Sequence, residues 1–118
     1  MRKSNIILNK TFNFSIQIVE LYKLLLDKHR VYDLARQVLK SGTSIGANAE
    51  EAVGGISKKD FRSKFSISLK EARETKYWLK LLHKIHYIDF NQYQKLEKEL
   101  IEIIKILTSI VKTSEKKN

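Results

Sequence analysis

The feature that most constrains this chain is a run of small residues, SGTSIGANAEEAVGG at 41–55, that leaves the apolar rhythm around it intact. Leu34, Val38, Ser41 with Gly42, Ile45, Ala49 and Ala52 recur every three or four positions, the spacing of one helix face. Gly, Ser and Thr also punctuate helices, so residues 41–44 admit a loop reading. The unbroken phase favours helix. Such a helix has an almost bare surface, and a neighbouring backbone can approach it closely. Gly54 and Gly55 then end it, as glycine does just past a helix C-terminus. No proline occurs in the 118 residues, so the commonest helix breaker is missing.

The rest of the sequence reads as three more amphipathic helices. A basic lead-in at 1–9 precedes the first, over about 10–28, with Asn9 or Thr11 as candidate caps. That helix is apolar on two faces. Phe12, Ile16, Val19, Tyr22 and Leu26 form one; Phe14, Ile18, Leu21 and Leu25 form the other. A helix apolar on two faces is buried in more than one contact. The second helix starts near 31–33. Ser57, with Asp60 three residues on, predicts a capped start for the third, over about 58–86. Its core stripe is Phe61, Phe65, Leu69, Ala72, Leu79, Leu82 and Ile85. Asp89 or Asn91 caps the fourth, which runs to about 113 on a seam of Tyr93, Leu96, Leu100, Ile103, Leu107 and Ile110. Ile101, Ile104 and Val111 add a second stripe. Residues 114–118 read as a polar tail.

Four helices with short connections predict a single all-α domain over 10–113, an antiparallel up-down-up-down four-helix bundle. The surplus stripes on the first and fourth helices point to self-association, because large exposed apolar patches are uncommon on monomers.

The small-residue segment also carries a resemblance. Lys40, Ser41, Gly42, Thr43, Ser44, Ile45, Gly46, Ala47, Asn48, Ala49, Glu50, Glu51 and Ala52, followed by Ser57, Lys58, Lys59, Asp60 and Phe61, resemble the pattern of a bacterial family. These are the four-helix-bundle proteins encoded by intervening sequences of large-subunit (23S) ribosomal RNA genes. The likeness spans roughly 10–112. The accessory protein of diversity-generating retroelements is similar and shares the bundle. The resemblance implies a homopentamer with a basic surface that binds nucleic acid. Its retroelement branch implies an adapter that holds a reverse transcriptase and template RNA.

Charge points the same way. There are 23 Lys and Arg against 13 Asp and Glu, a net charge of +10. Such an excess speaks to partners rather than fold, and nucleic acid, probed as RNA first, precedes an anionic membrane or an acidic protein. Lys59, Arg62, Lys70, Arg73, Lys80 and Lys84 fall on one face of the third helix, with Ser66 and Tyr77 among them and Lys76 at the edge. Arg36 and Lys40 of the second helix are further candidate contacts. The plain alternative is a solvated helix face carrying i,i+4 ion pairs. Tyr77 is placed to stack on an unpaired base.

Catalysis finds no footing. Glu50 and Glu51 are neighbours and point apart on a helix; interhelix ion pairs or helix-end roles are expected of them. Asn48 is expected to hydrogen-bond across the bundle. His29, His83 and His86 lack a Glu three residues before them, as di-iron bundles require, and read as surface or helix-end side chains, with no metal or cofactor expected. The Gly42–Gly46 spacing lacks the Gly-Lys-Ser/Thr ending of a phosphate loop. The chain has no cysteine, hence no disulfide. With no signal-like segment and no apolar run near the ~20 residues that span a bilayer, a non-enzymatic cytoplasmic protein is expected.

Overall fold

A computed structural model describes residues 2–116 of the chain, and side chains over 5–115. Four long helices account for most of it: α1 (Arg2–Leu24), α2 (Tyr32–Val53), α3 (Lys58–Lys84) and α4 (Phe90–Lys116). Each packs on two others, α1 on α2 and α4, and α3 on the same two. The result is the antiparallel four-helix bundle, 47 × 21 × 19 Å.

The first helix begins at Arg2 rather than near Lys10. The expected lead-in is helical because Ile7 is fully buried in the core. Thr11 is no cap: its hydroxyl donates to the Ile7 carbonyl at 2.7 Å inside the helix. After Leu24 the chain widens into one π-helical turn, Leu25–His29, which keeps Leu25 buried. Arg30 closes it in left-handed backbone (φ 54°), its N–H donating to the Leu26 carbonyl.

The expected loop-or-helix segment is helix. On α2, Ser41, Gly42, Ile45, Gly46, Ala49 and Ala52 are all buried. An added methyl on Gly42 would lie 2.8 Å from Ile18 Cγ2, and one on Gly46 would lie 3.3 Å from Thr11 Oγ1. The α1–α2 seam is therefore closed by two glycines. The α2–α3 seam is closed by hydroxyls instead. Ser68 Oγ donates to the Ile45 carbonyl at 2.7 Å. Thr75 Oγ1 lies 2.9 Å from Ser41 Oγ and 2.8 Å from the Glu71 carbonyl; its single proton serves one of them at a time. Among the described residues no buried side-chain polar atom lacks a partner.

The cap expected of Asn9 or Thr11 does not form, since both lie inside α1; those expected for α3 and α4 do. Ser57 Oγ accepts from the Asp60 N–H at 3.0 Å, and Asp89, not Asn91, accepts from the Gln92 N–H at 2.7 Å. The α4 seam is buried from Leu96 to Ile110, with Tyr93 half-buried at its start. Ile85 departs from its expected place in the core and is 40% exposed, because α3 ends at Lys84 and the backbone turns away.

The two apolar faces of α1 have different fates. Phe14, Ile18, Leu21 and Leu25 are buried, whereas Phe12 is 64% and Ile16 46% exposed.

Candidate nucleic-acid interface

The core-facing residues of α3, from Phe65 through Ser68, Ala72, Thr75 and Leu79 to Leu82, are buried. Helical spacing puts Lys59, Arg62, Ser66, Lys70, Arg73, Tyr77, Lys80 and Lys84 on the opposite side. All are exposed except Arg62, which is half-buried and engaged in a contact of its own. Lys76 is exposed at the edge of this row. The 27-residue helix is ~40 Å long at 1.5 Å per residue.

Three ion pairs form among the described residues: Lys10–Glu102, Arg36–Asp33 and Lys64–Glu51. None engages Lys59, Lys70, Arg73, Lys76, Lys80 or Lys84. The i,i+4 pairing that would make the row a self-neutralised face is therefore not what these six do. Arg36 differs, since its guanidinium donates to Asp33 Oδ1 at 2.5 Å. Lys40 is exposed one turn further along α2. Tyr77 is 59% exposed, and its ring leans edge-on against Trp78 at 5.1 Å between centroids. Trp78 is itself held by donating to Glu74 at 3.1 Å. A braced and open aromatic ring within a cationic row is what stacking on a base requires.

A second cationic row was missed by the sequence reading. Lys98, Lys105 and Lys112 of α4 are exposed and unpaired among the described residues. Lys105 and Lys112, with Thr108, Ser109 and Thr113, line a surface depression of about 400 Å³. The signal of this row in the sequence is a seven-residue repeat of lysines beside the apolar seam.

The motif residues of α2 serve packing. Ser41, Gly42, Ile45, Gly46 and Ala52 are buried, Ala47 and Glu51 are exposed, and Phe61 sits half-buried with its ring edge-on to Phe65 at 4.8 Å. Ser44 donates to the Lys40 carbonyl. Asn48 does not bridge the bundle as expected; its amide donates to the Ser44 carbonyl one turn back at 2.8 Å. Glu51 does reach across, to Lys64 at 3.2 Å.

The three histidines are not scattered. His29, His83 and His86 line one cavity of about 410 Å³ where the α1–α2 and α3–α4 connections meet. Among the described residues no group of three or more His, Cys, Asp and Glu is placed to hold a metal ion. No described helix is long and apolar enough to cross a membrane.

A basic antiparallel four-helix bundle with a glycine-closed central seam is thus the class of protein at hand. Residues 3–109 match the family model of the 23S rRNA-intervening sequence protein, and the chain belongs to that family. Its fold is similar to a crystal structure of a protein with unknown function from the S23 ribosomal protein family of Bacteroides thetaiotaomicron. The two are 44% identical, with a TM-score of 0.91 over 93% of this chain and 98% of that one. Among curated proteins none matches.

Proposed function

We propose that this chain is a non-catalytic, cytoplasmic RNA-binding protein that acts as a homo-oligomer, with the outward face of α3 as its contact surface. The observation that carries the reading is the row of six cations on α3 that no acidic side chain of the described chain neutralises. Each such cation that meets a phosphate releases condensed counterions, so affinity falls steeply with salt. The assembly is taken to be a homopentamer, as the family resemblance implies. Phe12 and Ile16, exposed on α1 beside the half-buried Leu8 and Val19, are the surface on which copies would meet. A ring of five would repeat the cationic row and strengthen its field.

The test is native mass spectrometry with a short structured RNA at low and moderate salt, on the natural chain and on Lys70→Glu/Arg73→Glu/Lys80→Glu/Lys84→Glu. A pentamer that gains RNA at low salt, sheds it as salt rises and loses it in the variant agrees with the proposal. RNA retained by a folded variant overturns the α3 assignment, and a monomer overturns the assembly.

The apolar α1 face also favours a second reading, a protein adapter whose partner is a polypeptide such as a reverse transcriptase. An oligomer that ignores RNA and DNA alike would move the assignment there.

A further inference from the structure

At one pole of the bundle the π-helical turn after α1 meets the connection between α3 and α4. Leu24, Lys28 and His29 come from the end of α1 and that turn; His83, His86, Tyr87, Asp89 and Phe90 come from the end of α3, the connection and the start of α4. Residues more than fifty positions apart thus enclose one cavity of about 410 Å³, within the ~300–1,000 Å³ range of small-ligand pockets.

Its walls combine flat rings and cations. The His83 ring lies parallel to that of Tyr93 at 4.4 Å between centroids and 5.9 Å from the Phe90 ring. His29 leans on Tyr87 at 4.8 Å. Phe90 is 59% exposed, so the core does not account for its presence. Among the charged and titratable wall groups, Lys28 brings an ammonium and the three imidazoles bring ring nitrogens. Asp89 is the single carboxylate among them, and it accepts from the Gln92 N–H. The positive end of the α4 dipole opens at the same place.

Among the described residues, the non-glycine residues with positive φ are Arg30 and His86, at 54° and 68°, and both end helical segments at this pole. His86 occupies the position after the α3 C-cap. There its N–H bonds to the His83 carbonyl and the next N–H, of Tyr87, bonds to that of Leu82. Glycine is the usual occupant of that position. A single left-handed residue there is a common way for a helix to end, and histidine is among the side chains that accept it; it turns the chain from α3 along the cavity wall.

We infer that this polar cavity binds a nucleotide, with the base stacked against Phe90 and His83 and the phosphate held by Lys28 and His86. The inference extends the reading of the chain as an RNA-binding protein, yet a mononucleotide carries too little charge to need the α3 row. The two therefore fail separately.

Adenosine 5′-monophosphate is the probe. Its titration is followed by the ring resonances of the three histidines. Saturable shifts of His83 and His86 are expected. Phe90→Ala removes an exposed ring, and His86→Gly places the favoured residue in the left-handed position, so neither threatens the fold. Each should weaken binding about tenfold, the scale of one lost base stack or phosphate contact. Lys70→Glu/Arg73→Glu, whose positions lie ten or more residues and so ~15 Å along α3 from His83, should bind the nucleotide as the natural chain does. Ring resonances that stay still overturn the inference, as does full affinity in Phe90→Ala. Ribose 5-phosphate binding as tightly as the nucleotide would also overturn it, because the base would then contribute nothing.

Discussion

The inner face of α2 and the outer face of α3 are built on the same three-to-four spacing and are opposite in every other respect. The α2 face presents Ser41, Gly42, Ile45, Gly46 and Ala49 and is fully covered. The α3 face presents Lys59, Lys70, Arg73, Lys80 and Lys84 and is open. On the first, what matters is the absence of side-chain volume. On the second, it is charge left without a partner. A substitution on the inner face should therefore be read as stability with function following, and one on the outer face as function with stability unmoved.

The harshest way to break this contrast is Gly42→Leu. The seam has no room, since even a methyl would lie 2.8 and 2.9 Å from two carbons of the buried Ile18. Overpacking of a closed core costs about 3 kcal/mol at the upper end of its usual range. A urea midpoint lowered accordingly, or no folded protein, is expected. An unchanged midpoint would mean that the seam opens freely and that the small-residue stretch has another purpose.

Thr75→Val should cost less, about 2 kcal/mol. Valine preserves the shape but leaves Ser41 Oγ, which is 0% exposed, without the hydroxyl that lies 2.9 Å away. Denaturation of Thr75→Val beside Ser41→Ala/Thr75→Val sharpens the point. The double variant should recover part of the loss, because it removes the orphaned partner as well.

Tyr93 stands between the two regimes, half-buried at the start of the α4 seam. Its hydroxyl donates to Glu97 Oε2 at 2.5 Å. Burial first, then the bond to Glu97 and the negative charge of that carboxylate, push its pKa up from 10.0 to about 12. Between those values the folded chain holds a proton that the unfolded chain has released. The stability this group contributes is therefore fully present below the unfolded pKa, and is lost as pH rises from that value through the folded one. The measurement is accordingly the difference between the natural chain and Tyr93→Phe, denatured at about pH 9 and about pH 11. The natural chain should lose more stability over that interval than the variant; equal losses would contradict the shift.

Much of the fold was legible because local rules and the core agree. The α2 phase ran through Gly42, the α4 seam from Leu96 to Ile110 is buried where the spacing put it, and Ser57 and Asp89 cap α3 and α4. What escaped depends on tertiary contact. Nothing in residues 2–9 marks a helix until Ile7 finds the core. The π-helical turn at Leu25–His29 has no local signature, nor does the departure of Ile85 from its stripe. The α3 row was visible as a charge pattern, but its lack of acidic partners became visible only when every carboxylate had a position. Spacing along the chain cannot show that the fold brings His29 beside His83 and His86.

The smallest expected effect belongs to a single outer-face change, Lys70→Ala. The side chain is exposed and takes part in no ion pair among the described residues. A surface substitution of this kind alters stability by no more than about 0.5 kcal/mol, so the urea midpoint should be indistinguishable from that of the natural chain. Binding tells the difference. If Lys70 meets a phosphate, the slope of log affinity against log salt should become shallower by about 0.7–0.9, the counterions of one contact. The same substitution at Lys10, whose ammonium is already held by Glu102 at 3.1 Å, should leave that slope alone. If the two slopes changed equally, RNA would be responding to the net charge of the chain, not to the α3 face, and the contrast between the two helices would lose its functional half.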